Sequence, residues 1–240
     1  MMDKYPGMSP YHYCHWNPIN RTDDNGMFDD EWEINKYGEI IGRTENPNYD
    51  CVHVVDDEGM VITSSNYYEC GTISELTIEG DNNVSFSVCG FANAKEFFEF
   101  LAAQYSKECG SPIEWAHGTI VNQDPTSLVL TNDDLNIITT THKSASVDVG
   151  IWLNNGYVIS RQAHNHPAGT KKPSDIIEKD GRRHGDIPTA LTFEKKYPMV
   201  KNYFYIPGWG YSRYDSMGSI DPRVINWGTV PSFIDENDVR

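Results

Sequence analysis

Two histidines one residue apart, His164 and His166, open the most chemically loaded stretch of the chain, Ala163-His164-Asn165-His166-Pro167. In a β-strand, side chains two apart share a face, with backbone positions roughly 6 to 7 Å apart. Two imidazoles placed this way can hold one metal ion while Asn165 points away. Zinc accepts neutral imidazole nitrogen at about 2.0–2.1 Å, and a catalytic zinc site uses three protein ligands and keeps a position for water. Pro167 ends such a strand, because it has no N–H to donate. A bare His pair is also common on surfaces, so its weight depends on the residues downstream: six of them, Ala168 to Pro173, and then Ser174.

The run His-Asn-His-Pro-x6-Ser resembles the JAMM motif of the JAB/MPN metallopeptidases, His-x-His-Pro-x6-Ser-x-x-Asp, and is especially like the RadC-type branch. The resemblance implies a zinc-dependent peptidase or isopeptidase on an α+β, cytidine deaminase-like α-β-α sandwich. The sequence then departs from the motif, since Ile177 stands where the aspartate is expected. Asp175, Asp180 and Asp186 are the candidates. In the family the metal aspartate opens a helix, and Asp186 directly precedes Ile187-Pro188-Thr189-Ala190, which reads as a helix start. Asp175 sits beside Ser174, too close to face the same way with ease. The expected metal ligands are therefore His164, His166 and Asp186, with 175–185 as an insertion. His184 is a rival ligand, but its arginine and glycine neighbours suit a solvated loop.

A site of this family also needs a glutamate on the strand after the first helix. Glu114 stands alone between Ile113 and Trp115, in the expected order, although a lone Glu also fits a strand edge. The implied roles follow from zinc chemistry. The metal lowers the pKa of its water toward about 7. Glu114 acts as general base and passes the proton to the leaving amine, and Ser174 donates a hydrogen bond to the developing oxyanion. His117 and His142 read as structural or exposed.

The elements that must position these groups are legible in outline. Residues 28–85 read as short strands and turns, a small β-meander whose last hairpin is Ser74–Glu79 with Val84–Val88. A helix is expected from Asn93, as N-cap, to Gly110, with Ala94, Phe97, Phe98, Leu101 and Tyr105 on one face. Strands are expected over Ile113–Val121, Ser127–Leu130, Val147–Leu153 and Tyr157–Ala163, the last two joined by a turn at Asn154-Asn155-Gly156. A second helix is expected over Ile187–Lys196, then a strand over Asn202–Ile206 and a Gly/Pro/Tyr-rich tail.

Bulk properties narrow the function classes. With 240 residues the chain can bury a genuine core. Its formal net charge of −16 argues against nucleic acid as partner, because phosphate binding needs Lys and Arg. Cys14, Cys51, Cys70, Cys89 and Cys109 are odd in number and widely spread, with no C-x-x-C pair, which argues against a disulfide framework or a cysteine zinc site. No apolar run reaches the roughly 18 to 20 residues of a membrane span, and the opening residues do not read as a signal peptide.

The segment from Tyr11 to Met27, with Asn17-Pro18-Ile19 and Asp23-Asp24-Asn25-Gly26, resembles the end of an Rhs-repeat-associated core; Asp24 replaces the usual proline there. The resemblance implies a polymorphic toxin, delivered by a secretion system through the Rhs core and neutralised by a cognate immunity protein. Three parts are expected: the end of the core (1–27), a β-rich pre-toxin extension (28–85) and a JAB/MPN-like toxin domain (86–240) acting on a protein substrate. Two rivals remain from the sequence, a metal-free MPN-type binding scaffold and a nuclease.

Overall fold

A computed structural model describes residues 30–46, 48–80, 83–105, 112–121, 136–140, 150–198 and 200–219. The Rhs-like segment, Cys14, Cys109, Gly110, His142 and the strand expected over Ser127–Leu130 lie outside the described residues.

Four strands come first: β1 (Asp30–Ile34), β2 (Ile40–Glu45), β3 (Cys51–Val55) and β4 (Val61–Ser64). They are ordered β2-β1-β3-β4, and β1 runs parallel to β3. The expected meander is therefore corrected, since the chain crosses from β2 to the far side of β1. Asp50 fixes that crossing. Its buried carboxylate accepts the N–H groups of Asp30 and Ile73, at 3.2 and 2.7 Å.

The rest of the chain adds β5 (Ile73–Glu75), β6 (Ser85–Val88), α1 (Phe91–Gln104), β7 (Trp115–Val121) and β8 (Asn136–Thr140). After these come α2 (Gly150–Asn154), β9 (Val158–Asn165), the two-residue strands β10 (Ile176–Ile177) and β11 (Arg183–His184), and α3 (Asp186–Lys196). β12 (Lys201–Ile206), β13 (Gly210–Asp215) and β14 (Gly218–Ser219) close the described chain. Eight of these strands form one sheet, ordered β14-β13-β12-β9-β7-β8-β6-β5. Its single parallel pair is β9 with β12, joined by the segment that carries α3.

Four local expectations are corrected. The hairpin expected to close the extension, β5 with β6, belongs to the large sheet instead, because β6 pairs with β8. The strand expected over Val147–Leu153 is helical where described, at α2. A short apolar run carries no period that separates strand from helix. Trp152 of α2 is wholly buried over Gly118, where a Cβ would come within 2.5 Å of the indole. α1 begins behind Gly90, at φ 81°, and not at an Asn93 cap; the Asn93 side chain instead donates to the Cys89 carbonyl. Part of the expected tail forms β13 and β14.

Strand parity divides the packing. Neighbours along β9 and β12 face opposite ways. Ala163, Tyr203 and Tyr211 join Phe97 and Phe98 of α1 in one core. Phe204, Ile206 and Tyr214 meet Ala190 of α3, while Ala116, Ile159 and Trp152 gather with Phe193. Helices thus cover both faces of the mixed sheet. The small sheet has no core of its own: Trp32, Ile34, Val52 and Val54 pack into the same cluster as α1, and Trp32 meets Phe86 edge-on at 5.8 Å.

Candidate metal centre

The parallel pair creates the site. β9 ends at Asn165, and the His166 N–H then donates to the Tyr205 carbonyl of β12, so the strand's carboxyl end opens beside the N-terminus of α3. His164 and His166 share one face, as their spacing predicts. Their Nε2 atoms lie 3.0 Å apart. Asp186, the first residue of α3, brings Oδ1 to 3.0 Å from His164 Nε2 and Oδ2 to 3.2 Å from His166 Nε2. Among the described residues these three form the one group with metal-holding potential. In a tetrahedral zinc site with bonds near 2.0–2.1 Å, ligand atoms stand about 3.3 Å apart. The observed separations are of that size.

The donor set is prepared for a cation. His166 Nδ1 lies 2.6 Å from the Thr170 carbonyl, which can only accept, so the ring carries its proton there and turns the Nε2 lone pair to the cluster. Two imidazole nitrogens and a carboxylate in contact can share one cation. His166 is stacked on Phe204, with centroids 4.6 Å apart and an interplanar angle of 4°, and Phe204 in turn stacks parallel to Trp209. Tyr214 meets His164 edge-on at 5.9 Å.

Asp186 is held by Ser174 across the insertion. The Ser174 N–H donates to Asp186 Oδ2 at 2.6 Å, and Ser174 Oγ accepts the Asp186 N–H at 2.9 Å. The Ser174 carbonyl accepts the Ile187 N–H as well, so one residue satisfies two of the N–H groups that a helix start leaves open. Burial alone would raise the Asp186 carboxyl. Contacts with His164 and His166 and the hydrogen bond from the Ser174 N–H outweigh burial and hold it well below the usual carboxylate range. The carboxylate also sits at the positive end of α3.

The rival acids point elsewhere. Asp175 is paired with Arg183 at 2.5 and 2.7 Å, and Asp180 with Arg182 at 2.7 Å. His184 is exposed and faces Glu178 at 3.4 Å. The insertion is a small hairpin, β10 with β11, standing outside the cluster. Glu114 is buried just before β7, with Oε1 3.8 Å from His164 Nε2. His117, by contrast, lies inside the core. Its Nε2 contacts Oδ1 of the Asn136 side chain at 2.9 Å, and burial pushes its pKa down to about 4.

Residues 86–191 match the family model of JAB-like toxin 1. The matched segment runs from β6 into α3 and supports a JAB-like toxin domain there, one that contains Glu114, both histidines, Ser174 and Asp186. No curated protein and no solved structure matches the chain. Among the described residues no helix is long and apolar enough to cross a membrane. Cys51 is a buried free thiol. Sequence reasoning gave no role to Thr170, Phe204, Tyr214 or the side chain of Asn165. Phe204 was legible as an apolar residue of an expected strand; the others carry no signal short of the fold.

Proposed function

We propose that the JAB-like segment is a zinc-dependent peptidase or isopeptidase, the effector domain of an Rhs-type polymorphic toxin. In this reading residues 1–27 end the Rhs core, 28–85 form the pre-toxin extension, and 86–240 form a JAB/MPN-like, cytidine deaminase-like α-β-α sandwich. Delivery by a secretion system and capture by a cognate immunity protein belong to the same proposal. The observation that carries it is the meeting of His164, His166 and Asp186 within ligand distance of one another, with Glu114 beside them.

His164 Nε2, His166 Nε2 and a carboxylate oxygen of Asp186 would hold the metal. Bound there, zinc supplies Lewis acidity and makes a water a stronger acid. Glu114 Oε1 takes the proton of the attacking water and delivers it to the leaving amide nitrogen. Ser174 Oγ accepts from the Asp186 N–H and keeps its own hydrogen, which it can donate to the carbonyl oxygen as negative charge develops. Phe204 and Tyr214 wall the cluster against bulk water. A cavity of about 630 Å³ is lined by Lys171, Lys172, Ile187 and Trp209 among others, residues next to the cluster in the chain or in the ring stack, but by none of the three ligands.

The test pairs metal analysis with intoxication. The purified chain should carry zinc close to one per molecule, and His164→Ala should lose it. Glu114→Gln should keep both zinc and fold while growth inhibition of a susceptible cell disappears. A fully toxic Glu114→Gln protein would refute the peptidase mechanism, and absence of zinc uptake would favour a binding scaffold.

A further inference from the structure

We propose that Asn165 is the positioning residue that fixes Glu114 over the ligand cluster; this rests on the reading of Glu114 as the general base. Asn165 lies between the two histidines, and strand parity turns its side chain to the opposite face, where it is wholly buried. There it clasps the two peptide groups that flank Glu114. Asn165 Oδ1 accepts the Trp115 N–H at 2.5 Å, and Asn165 Nδ2 donates to the Ile113 carbonyl at 3.2 Å. Only one orientation of the amide matches donor to acceptor at both ends.

On the side of β9 the backbone ladder leaves this task open. The pairing of β7 with β9 ends at Ala116 opposite His164, and the His166 N–H turns to β12. The peptide groups on either side of Glu114 therefore reach β9 through the Asn165 side chain. This segment is also tied by the Ile113 N–H to the Tyr105 carbonyl at the end of α1 and by the pairing of Trp115 with Thr140 of β8. Three consecutive residues thus carry ligand, clasp and ligand, so the base and the histidines move as one rigid piece. Displacement of a catalytic group by about 1 Å can cost on the order of 100-fold in rate.

The test compares Asn165→Ala with Glu114→Gln and with Ile34→Ala, a core truncation in the small sheet chosen to match its loss in Tm. Zinc content should remain near one per molecule in all three. In the cobalt-substituted proteins at neutral pH, Glu114→Gln should change the visible d–d bands, because a neighbouring carboxylate is lost. Asn165→Ala should reproduce that change and lower growth inhibition by at least tenfold, whereas Ile34→Ala should do neither. Should Asn165→Ala not fold, Asn165→Asp, which keeps the acceptor for Trp115 and loses the donor to Ile113, carries the same comparison. An inert Glu114→Gln beside an Asn165 variant of unchanged spectrum and toxicity overturns the clasp alone. A toxic Glu114→Gln overturns the general-base reading, and the clasp with it.

Discussion

Gly185 tests whether the ligand carboxylate is positioned through Ser174. Its backbone, at φ 111° and ψ −165°, lies where side-chain-bearing residues rarely go, and forcing one there costs about 1–3 kcal/mol. An added Cβ would also sit 2.6 Å from Ser174 Oγ, 3.0 Å from its carbonyl oxygen and 3.1 Å from its carbonyl carbon. Two of those atoms are backbone, so no rotamer relieves the clash, and overpacking adds about 1–3 kcal/mol. Gly185→Ala should therefore lose about 2–6 kcal/mol. At about 2–4 °C per kcal/mol for a chain of this size, Tm should fall by about 4–24 °C. Pushing Ser174 aside also moves the Asp186 carboxylate, and loss of such outer support typically weakens metal affinity by about 10- to 100-fold. Gly181→Ala is the control: its φ is +85°, yet nothing lies within 4 Å of its Cβ, so it should show the backbone penalty without the loss of zinc. Thermal melts and competitive chelator titrations measure both quantities. Equal Tm and equal zinc affinity for the two variants would refute the bracket.

Zinc at 100 times its Kd should stabilise the chain by about 2.7 kcal/mol, and a chelator or His166→Ala should abolish that gain; a Tm indifferent to zinc would contradict the ligand assignment. His117, held neutral with a pKa of about 4 against about 6.5 when unfolded, gives a pH dependence. Between those values the unfolded chain binds a proton that the native chain refuses. Stability is thus intact above about pH 6.5 and lost as pH falls toward 4, by about 3 kcal/mol at most. Urea unfolding at pH 7 and 4.5 measures it, and a His117→Gln variant with an undiminished slope would exclude His117 as the source. Gly118→Ala should destabilise by about 1–3 kcal/mol or more, since its Cβ would meet three atoms of the buried Trp152 ring at 2.5, 2.9 and 3.1 Å; an unchanged melt would show that the indole has room to move.

Much of the centre was legible because it rests on local periodicity. A spacing of two puts His164 and His166 on one face of any strand, and Asp186 announces itself as the start of a helix. The face of α1 was readable too, since Ala94, Phe97, Phe98 and Leu101 are buried as their spacing requires. The unreadable parts depend on partners distant in sequence. β8 has an interior strand's burial but no alternation to reveal it, because all five of its residues are covered. β13 was hidden by its glycines and tyrosines, which fit a turn-rich tail equally well. α2 and the parallel pairing of β1 with β3 were decided by Trp152 seeking the notch at Gly118 and by Asp50 gathering distant amides. Strand spacing turns Asn165 away from the histidines, but nothing near it in the sequence shows what its amide holds.

The clamp between Ser174 and Asp186 gives the β10–β11 hairpin a freedom that the flanking residues lack. With both stems pinned at one point in space, the arm between them can lengthen, shorten or change character while the carboxylate stays where it is. A search that demands a fixed count of residues between serine and aspartate would pass over such proteins, whereas one that asks for a serine docked on a helix start would find them.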